Sequence, residues 1–317
     1  MKPCDILVVG ELNVDLMLSQ VEGFPKMGTE ILARDMVLTM GSSSAIFACN
    51  SSTLGAKVGF IGKIGSDSFG NLIIDSLKSK NVKTAHIIRS NDYKTGITAA
   101  LSYGEDRAMV TYPGAMEFLS GENVTAELLE QSGHLHVSSV FLQPLVKRDL
   151  LGIFKMAKTC GLTTSLDTQW DPSEKWDLDL NALLPYVDVF LPNEDEIKAL
   201  TRVKTVDEAL VKLKPVANWI AVKLGSKGSL VMAKGELVQV APFLNTQVVD
   251  AIGAGDSFDA GFVVKFIAGG GPAACLRFGN LAGAINTTGP GGTGAFSSLE
   301  RVRETAARLF NVSAAEF

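Results

Sequence analysis

The reading of this chain turns on Asp250-Ala251-Ile252-Gly253-Ala254-Gly255-Asp256-Ser257-Phe258. An apparent strand at 247–249 leads into it, and an apolar helix opens from it and runs to about residue 268. Small residues therefore stand where turn becomes helix. Their N–H groups can approach an anion closely, and the helix dipole favours negative charge at that end. Asp256 falls in the first helical turn. A carboxylate there can simply cap the helix. It can also accept a proton from an attacking hydroxyl while the amides beside it stabilise a transferring phosphoryl group. The motif alone leaves both roles open.

Outward from this motif, short apolar runs alternate with amphipathic stretches. Strands are expected at 6–10, 58–61, 134–140, 163–167, 187–192, 219–223 and 229–232. Helices are expected at 43–53, 69–80, 126–131, 147–158, 194–200, 206–213, 255–268 and 272–286. Continuously apolar strands are covered on both faces, and alternation of strand with helix gives βαβ units and a mainly parallel sheet. Two regions, 13–40 and 95–112, lack helical periodicity. In the second, 96–103 and 107–112 flank Gly104-Glu105-Asp106, a hairpin signal. A small β-rich lid on a single domain, 1–317, accounts for both regions, and such flaps cover active sites.

Composition narrows the partners. The net charge is −5 and there are no Lys/Arg runs, which argues against nucleic acid. The N-terminal apolar run at 6–10 is far too short to span a membrane. Cys4, Cys49, Cys160 and Cys275 form no CxxC pair, so neither a zinc site nor a disulfide framework is expected, and the thiols fit a reduced, cytoplasmic setting. His86, His134 and His136 match no metal or triad spacing. No Walker-type Gly-x-x-x-x-Gly-Lys-Ser/Thr occurs.

Asp-x-x-Gly-Ala-Gly-Asp resembles the C-terminal signature of the ribokinase-like (pfkB-type) family of carbohydrate and nucleoside kinases. Gly41-Ser42-Ser43-Ser44-Ala45, then Leu54-Gly55, then Gly62-Lys63-Ile64-Gly65-Ser66-Asp67-Ser68-Phe69-Gly70, is similar to its N-terminal signature. The likeness runs over about residues 5–300. It implies an α/β three-layer sandwich with a central, mostly parallel sheet and a small β lid. It implies transfer of the γ-phosphate of ATP to a sugar hydroxyl, with Asp256 as general base and the amides of Gly253, Ala254, Gly255 and Asp256 as anion hole. Asn13, Asp15, Gly41, Ser42 and Ser43 would hold the sugar. Asn193, Lys223, Gly225, Gly228, Asn286 and Gly292 would face the nucleotide. Glu196 would hold Mg²⁺ through water, and the carbonyls of Asp250 and Ile252 would take a monovalent cation such as K⁺. A second copy of the chain would pair through the lid.

The chain departs from the family pattern at three places. Ala251 stands where Thr is common. Asp171 stands where some relatives carry a phosphate-binding Arg. Ile46 replaces an Asn whose amide contacts a sugar hydroxyl, and so leaves the sugar itself undefined. Asp67 is expected to cap a helix. Two other readings stay open: a nucleoside or vitamin-precursor kinase of the same family, and a catalytically silent regulator that binds sugar or nucleotide. Intact Asp256 and Gly253–Gly255 argue against the second. A Rossmann dehydrogenase is disfavoured, because Gly10-Glu11-Leu12-Asn13 lacks Gly-x-Gly-x-x-Gly.

Overall fold

Ile6-Leu7-Val8-Val9 shows how the sequence builds its main sheet. Ile6 and Val8 enter the apolar core on one face, and Leu7 and Val9 enter the core on the other. A strand buried on both faces has no polar side to present, hence the continuous apolar run. The computed structural model describes residues 2–103 and 106–313. Its strands are β1 (Cys4–Val9), β2 (Asn13–Ser19), β3 (Asp35–Met40), β4 (Val58–Gly65), β5 (Lys83–Ser90), β6 (Gly96–Tyr103), β7 (Asp106–Tyr112), β8 (Ser132–Ser138), β9 (Thr163–Asp167), β10 (Val189–Phe190), β11 (Trp219–Lys223), β12 (Ser229–Ala233) and β13 (Glu236–Val240).

Nine of these form one sheet in the order β13-β12-β11-β10-β9-β8-β1-β4-β5. All neighbours are parallel except β11–β12 and β12–β13. Helices cover both faces, as the apolar strands require. β3-β2-β6-β7 form a separate four-stranded sheet from the two regions without helical periodicity. The tip between β6 and β7 at Gly104-Glu105 lies outside the described residues. Asp67 caps the helix Ser68–Ser79, accepting from the Gly70 N–H at 2.9 Å.

The expected strand at 247–249 does not exist. The segment is irregular, and the Val249 N–H bonds the Thr287 carbonyl at 2.8 Å instead of a strand neighbour. The expected strand at 187–192 shortens to Val189–Phe190. Two strands escaped the sequence reading, β5 and β13. Both lie at sheet edges, where polar residues interrupt the apolar run. The helix Leu299–Phe310 escaped it too. His134 and His136 are buried and flank the Ser165 hydroxyl at 2.7 and 2.8 Å, so they serve the sheet. The four cysteines are unpaired. Among the described residues no helix is long and apolar enough to cross a membrane.

Candidate active site

Strand ends and one helix start meet at the C-terminal edge of the large sheet, where open α/β sheets bind ligands. β9 ends on Asp167 and β11 on Lys223, while β1 leads through Glu11 into β2. The helix Ala254–Ile267 points its N-terminus at this edge. Its cap, Gly253, has φ +74°, and a Cβ there would lie 2.6 Å from the Gly292 backbone. Only glycine meets both demands.

Two cavities converge on that helix start. The first, about 470 Å³, is lined by Asp15, Ser42, Ser43, Ile46, Asn193 and Glu196, with Asp256 at its base. The small sheet roofs it with Met17, Thr98, Ala100 and Met109. The second, about 430 Å³, is lined by Gly225, Gly228, Phe243, Leu244, Val248 and Thr287. Lys223, Gly225, Ala251, Ala254 and Gly255 border both.

Of the residues expected to hold the sugar, Asp15, Ser42 and Ser43 reach the cavity. Asn13 and Gly41 stand behind Asp15. The Asn13 amide donates to Asp15 Oδ1 (2.9 Å) and to Thr98 Oγ1 (3.1 Å), which fixes the carboxylate. A Cβ on Gly41 would lie 2.3 Å from Asp15 Oδ1, so Gly41 makes room for it. Burial pushes Asp15 up to about 6, against the pull of Asn13 and Thr98. The Ser42 hydroxyl caps the helix Ser43–Thr53 through the Ala45 N–H (2.9 Å) and donates to the Glu11 carbonyl (2.6 Å). Buried Glu11 accepts from Ser44 and ties this turn to β1. Ile46, only 4% exposed, packs its side chain against Gly253 and Gly292.

Around the junction lies a dense set of charges. Lys223 Nζ bonds Asp167 Oδ2 (3.0 Å) and both oxygens of Asp259 (3.2 and 3.0 Å). Burial opposes every charge here. The lysine outweighs it for Asp167, whose carboxyl stays below its usual range. Burial pushes Asp259 well up against the pull of Lys223, and the Asp167 charge adds to the rise. The carboxylates in turn hold Lys223 charged, above its usual range. Burial, then the Asp167 charge, push Asp256 up to about 7, against Lys223 and the Ser43 hydroxyl. Glu196 rises to about 7 for the same two reasons. Its Oε2 accepts from the Asn193 N–H (2.8 Å) while Asn193 Oδ1 caps the same helix, Glu194–Thr201.

Several expected roles shift. Lys223, expected to face the nucleotide, borders both cavities, and its ammonium is held between two aspartates. Asn286 and Gly292 line neither cavity. Asn286 is buried, with its amide bonding the Ile252 carbonyl (2.5 Å) and the Ser257 hydroxyl (2.9 Å). Asn50 bonds the Gly292 carbonyl (2.9 Å), and Asp250 accepts from the Ile252 and Gly291 N–H groups (both 2.9 Å). These contacts buttress the Gly253 turn from below. The Ala254 N–H is spent on the Ala251 carbonyl at 3.2 Å. Gly255 and Asp256, second and third in the helix, keep N–H groups without an intrahelical acceptor. Sequence reading missed Gln169, Asp259 and the apolar wall at Phe243, Leu244 and Val248. That exposed apolar loop between β13 and the motif was the one available signal.

The family model of the pfkB family carbohydrate kinases matches residues 4–298. A ribokinase of Haemophilus influenzae is 29% identical over 307 residues, covering 95% of this chain and 96% of that protein. A 2-dehydro-3-deoxygluconokinase of Bacillus subtilis is 28% identical over 267 residues, 80% of this chain and 82% of its own length. The solved structure of Arabidopsis thaliana ribokinase complexed with ribose and ATP superposes with a TM-score of 0.82 at 26% identity, covering 99% of this chain and 100% of that one. Fold, paired cavities and family match agree: the chain belongs to the pfkB family of carbohydrate kinases, phosphotransferases that act on an alcohol group.

Proposed function

We propose that this chain transfers the γ-phosphoryl group of ATP to a hydroxyl of a sugar, with Asp256 as the base. The observation that carries this is the meeting of two cavities at one helix N-terminus, with Asp256 lining the first alone. Sugar enters the first cavity, where Asp15 and Ser43 accept from or donate to its hydroxyls. ATP enters the second, against the Phe243–Val248 wall; the Arabidopsis relative of the same fold binds ATP. The sugar oxygen forms the new bond to the γ-phosphorus, the bond to the β-phosphate oxygen breaks, ADP leaves, and the hydroxyl proton passes to Asp256. The Gly253, Gly255 and Asp256 amides meet the developing charge.

Buried Glu196 and half-buried Asn193 would hold Mg²⁺ through water, which suits a cation that keeps most of its waters, and the ion would neutralise phosphate charge. The Gly253 turn and the Gly291–Gly292 loop flank the place the resemblance gives to K⁺, so K⁺ belongs in the assay. The small sheet acts as the lid of the single domain. The four free thiols suit work in the cytoplasm.

The test is ATP-dependent ADP release with Mg²⁺ and K⁺ across ketoses, aldoses, sugar acids, sugar phosphates and nucleosides. Turnover on a sugar supports the reading. Turnover confined to nucleosides replaces the substrate class, and binding without turnover leaves a silent regulator. Both carboxylates must be ionised to work. The KM for sugar should therefore fall as pH rises through about 6, where Asp15 titrates. The kcat should rise through about 7, where Asp256 titrates. A kcat flat from pH 5 to 9 would remove Asp256 from the proton path.

We further infer that a second copy covers the outer face of the small sheet. Its register places Leu16, Leu38, Ala99 and Val110 side by side there, opposite the cavity face. Val110 is 75% exposed, an unusual state for a valine amid apolar neighbours. Sedimentation should give a dimer that Val110→Asp splits; a monomeric parent ends the idea.

A further inference from the structure

We propose that Gln169 is the positioning residue of Asp256, tying the base to the buried Asp167–Lys223 ion pair. The proposal rests on Asp256 being the base. Gln169 lies two residues past the end of β9. Its Nε2 is 2.6 Å from Asp167 Oδ2 and 2.8 Å from Asp256 Oδ1. Both partners are carboxylate oxygens, so the amide must present its nitrogen, and its two hydrogens serve one carboxylate each. No other amide orientation satisfies both neighbours.

The contact belongs to a closed loop of side chains. Asp256 bonds Gln169, Gln169 bonds Asp167, Asp167 bonds Lys223, and Lys223 bonds Asp259. Asp259 sits three residues after Asp256 on the same helix, and residues so spaced share a face. The loop therefore begins and ends on one helix and crosses the ends of two strands. Asp167 also accepts from the Gln169 backbone N–H at 3.3 Å, so it fixes the main chain of its own clamp. Gln169 has φ +58°, a conformation that residues with a side chain seldom adopt. Backbones held this way cluster at functional sites.

The surroundings explain why such a clamp is needed. Asp256 faces Glu11 from beyond β1, Asp167 and Lys223 from the strand ends, and Glu196 from the helix Glu194–Thr201. Asp259 lies on its own helix. Lys223 is the single cation in this set. Carboxylates so crowded repel one another and turn apart unless held. Gln169 adds a neutral donor, which favours the ionised form that must take the proton.

Gln169→Met in the full chain keeps length and volume but removes both donors. It should lower kcat roughly 10- to 100-fold, since the base loses its aim. The KM for ATP should stay within about twofold, and the acid limb of kcat should move up by about one pH unit. Glu196 titrates near Asp256, but Gln169 touches only the latter, so a moved limb identifies Asp256. Gln169→Asn keeps the donors one methylene short and should recover part of the rate. If the Met variant does not fold, the Asn variant carries the same limb test. Asp256→Asn is assayed alongside. An inactive Asp256→Asn with an unchanged Gln169→Met ends this inference and spares the base. Parental turnover in Asp256→Asn removes the base itself. A slower Gln169→Met with an unmoved limb and a lowered Tm marks a packing role and also overturns the proposal.

Discussion

Asp256→Asn should lower kcat by roughly 10²–10⁴-fold, the usual range for loss of a general base, and should make the folded chain more stable at pH 8. The two effects share one cause. Burial and the Asp167 charge lift Asp256 from 3.8 to about 7. Between those values the folded chain holds a proton that the unfolded chain has released. Stability therefore falls as pH rises through that window, and the loss is complete above about 7. At roughly 1.4 kcal/mol per pH unit, the ionised carboxylate costs about 4 kcal/mol at pH 8. Asparagine carries no titrating proton and still offers Gln169 an oxygen. Urea midpoints at pH 4 and pH 8 check this: the variants should match at the lower pH and part at the higher. Parental turnover would remove the catalytic assignment, and equal midpoints at pH 8 would show that Asp256 is not strained by its site.

Lys223→Met should destabilise the chain by about 3–5 kcal/mol at neutral pH, the cost of orphaning one partner of a buried ion pair. Methionine fills the aliphatic volume but leaves Asp167, 1% exposed, without a counter-charge. The pH dependence carries a sign. In the parent, Asp167 is held below its ordinary value and contributes stability that is lost only in acid. In the variant the same carboxyl prefers its proton, so the deficit should be full at pH 7.5 and shrink below about pH 5. Denaturant midpoints at the two pH values measure it. Equal midpoints at pH 7.5 would mean that the ammonium contributes nothing net against its own burial.

What could be read from the sequence was whatever is local. The two-faced burial of Ile6–Val9, the cap at Asp67 and the glycine at the start of the Ala254 helix each follow from a few adjacent residues. So did the small sheet, through the loss of helical period at 13–40 and 95–112. The charge loop was hidden because its members, at 167, 169, 223, 256 and 259, come from three elements with no fixed spacing. Asp167-Thr168-Gln169 was visible at a strand end, yet nothing in it says that Gln169 reaches a helix some ninety residues later. Lys223 beside Gly225 reads as a nucleotide contact, and nothing local says that two aspartates hold its ammonium. Asn286 and Gly292 read alike because glycine-rich loops and terminal asparagines suit phosphates as well as they suit buttresses. β5 and β13 were missed for an opposite reason. Edge strands mix polar residues into the run, and the apolar signal of a doubly covered strand fades.

The small sheet shares no ladder with the large one, yet it carries Asp15 and Thr98 while the large layer carries Asp256. A sugar bonded to both is a tether between two bodies joined through the chain at residues 10–12, 41–42, 91–95 and 113. Its apparent affinity contains the work of docking those bodies as well as the contacts it makes. If only a fraction of molecules rests with the sheets docked, the measured dissociation constant exceeds the intrinsic one by the inverse of that fraction. Residues at the connections 91–95 and 113, which line neither cavity, thereby bear on how much sugar the enzyme needs.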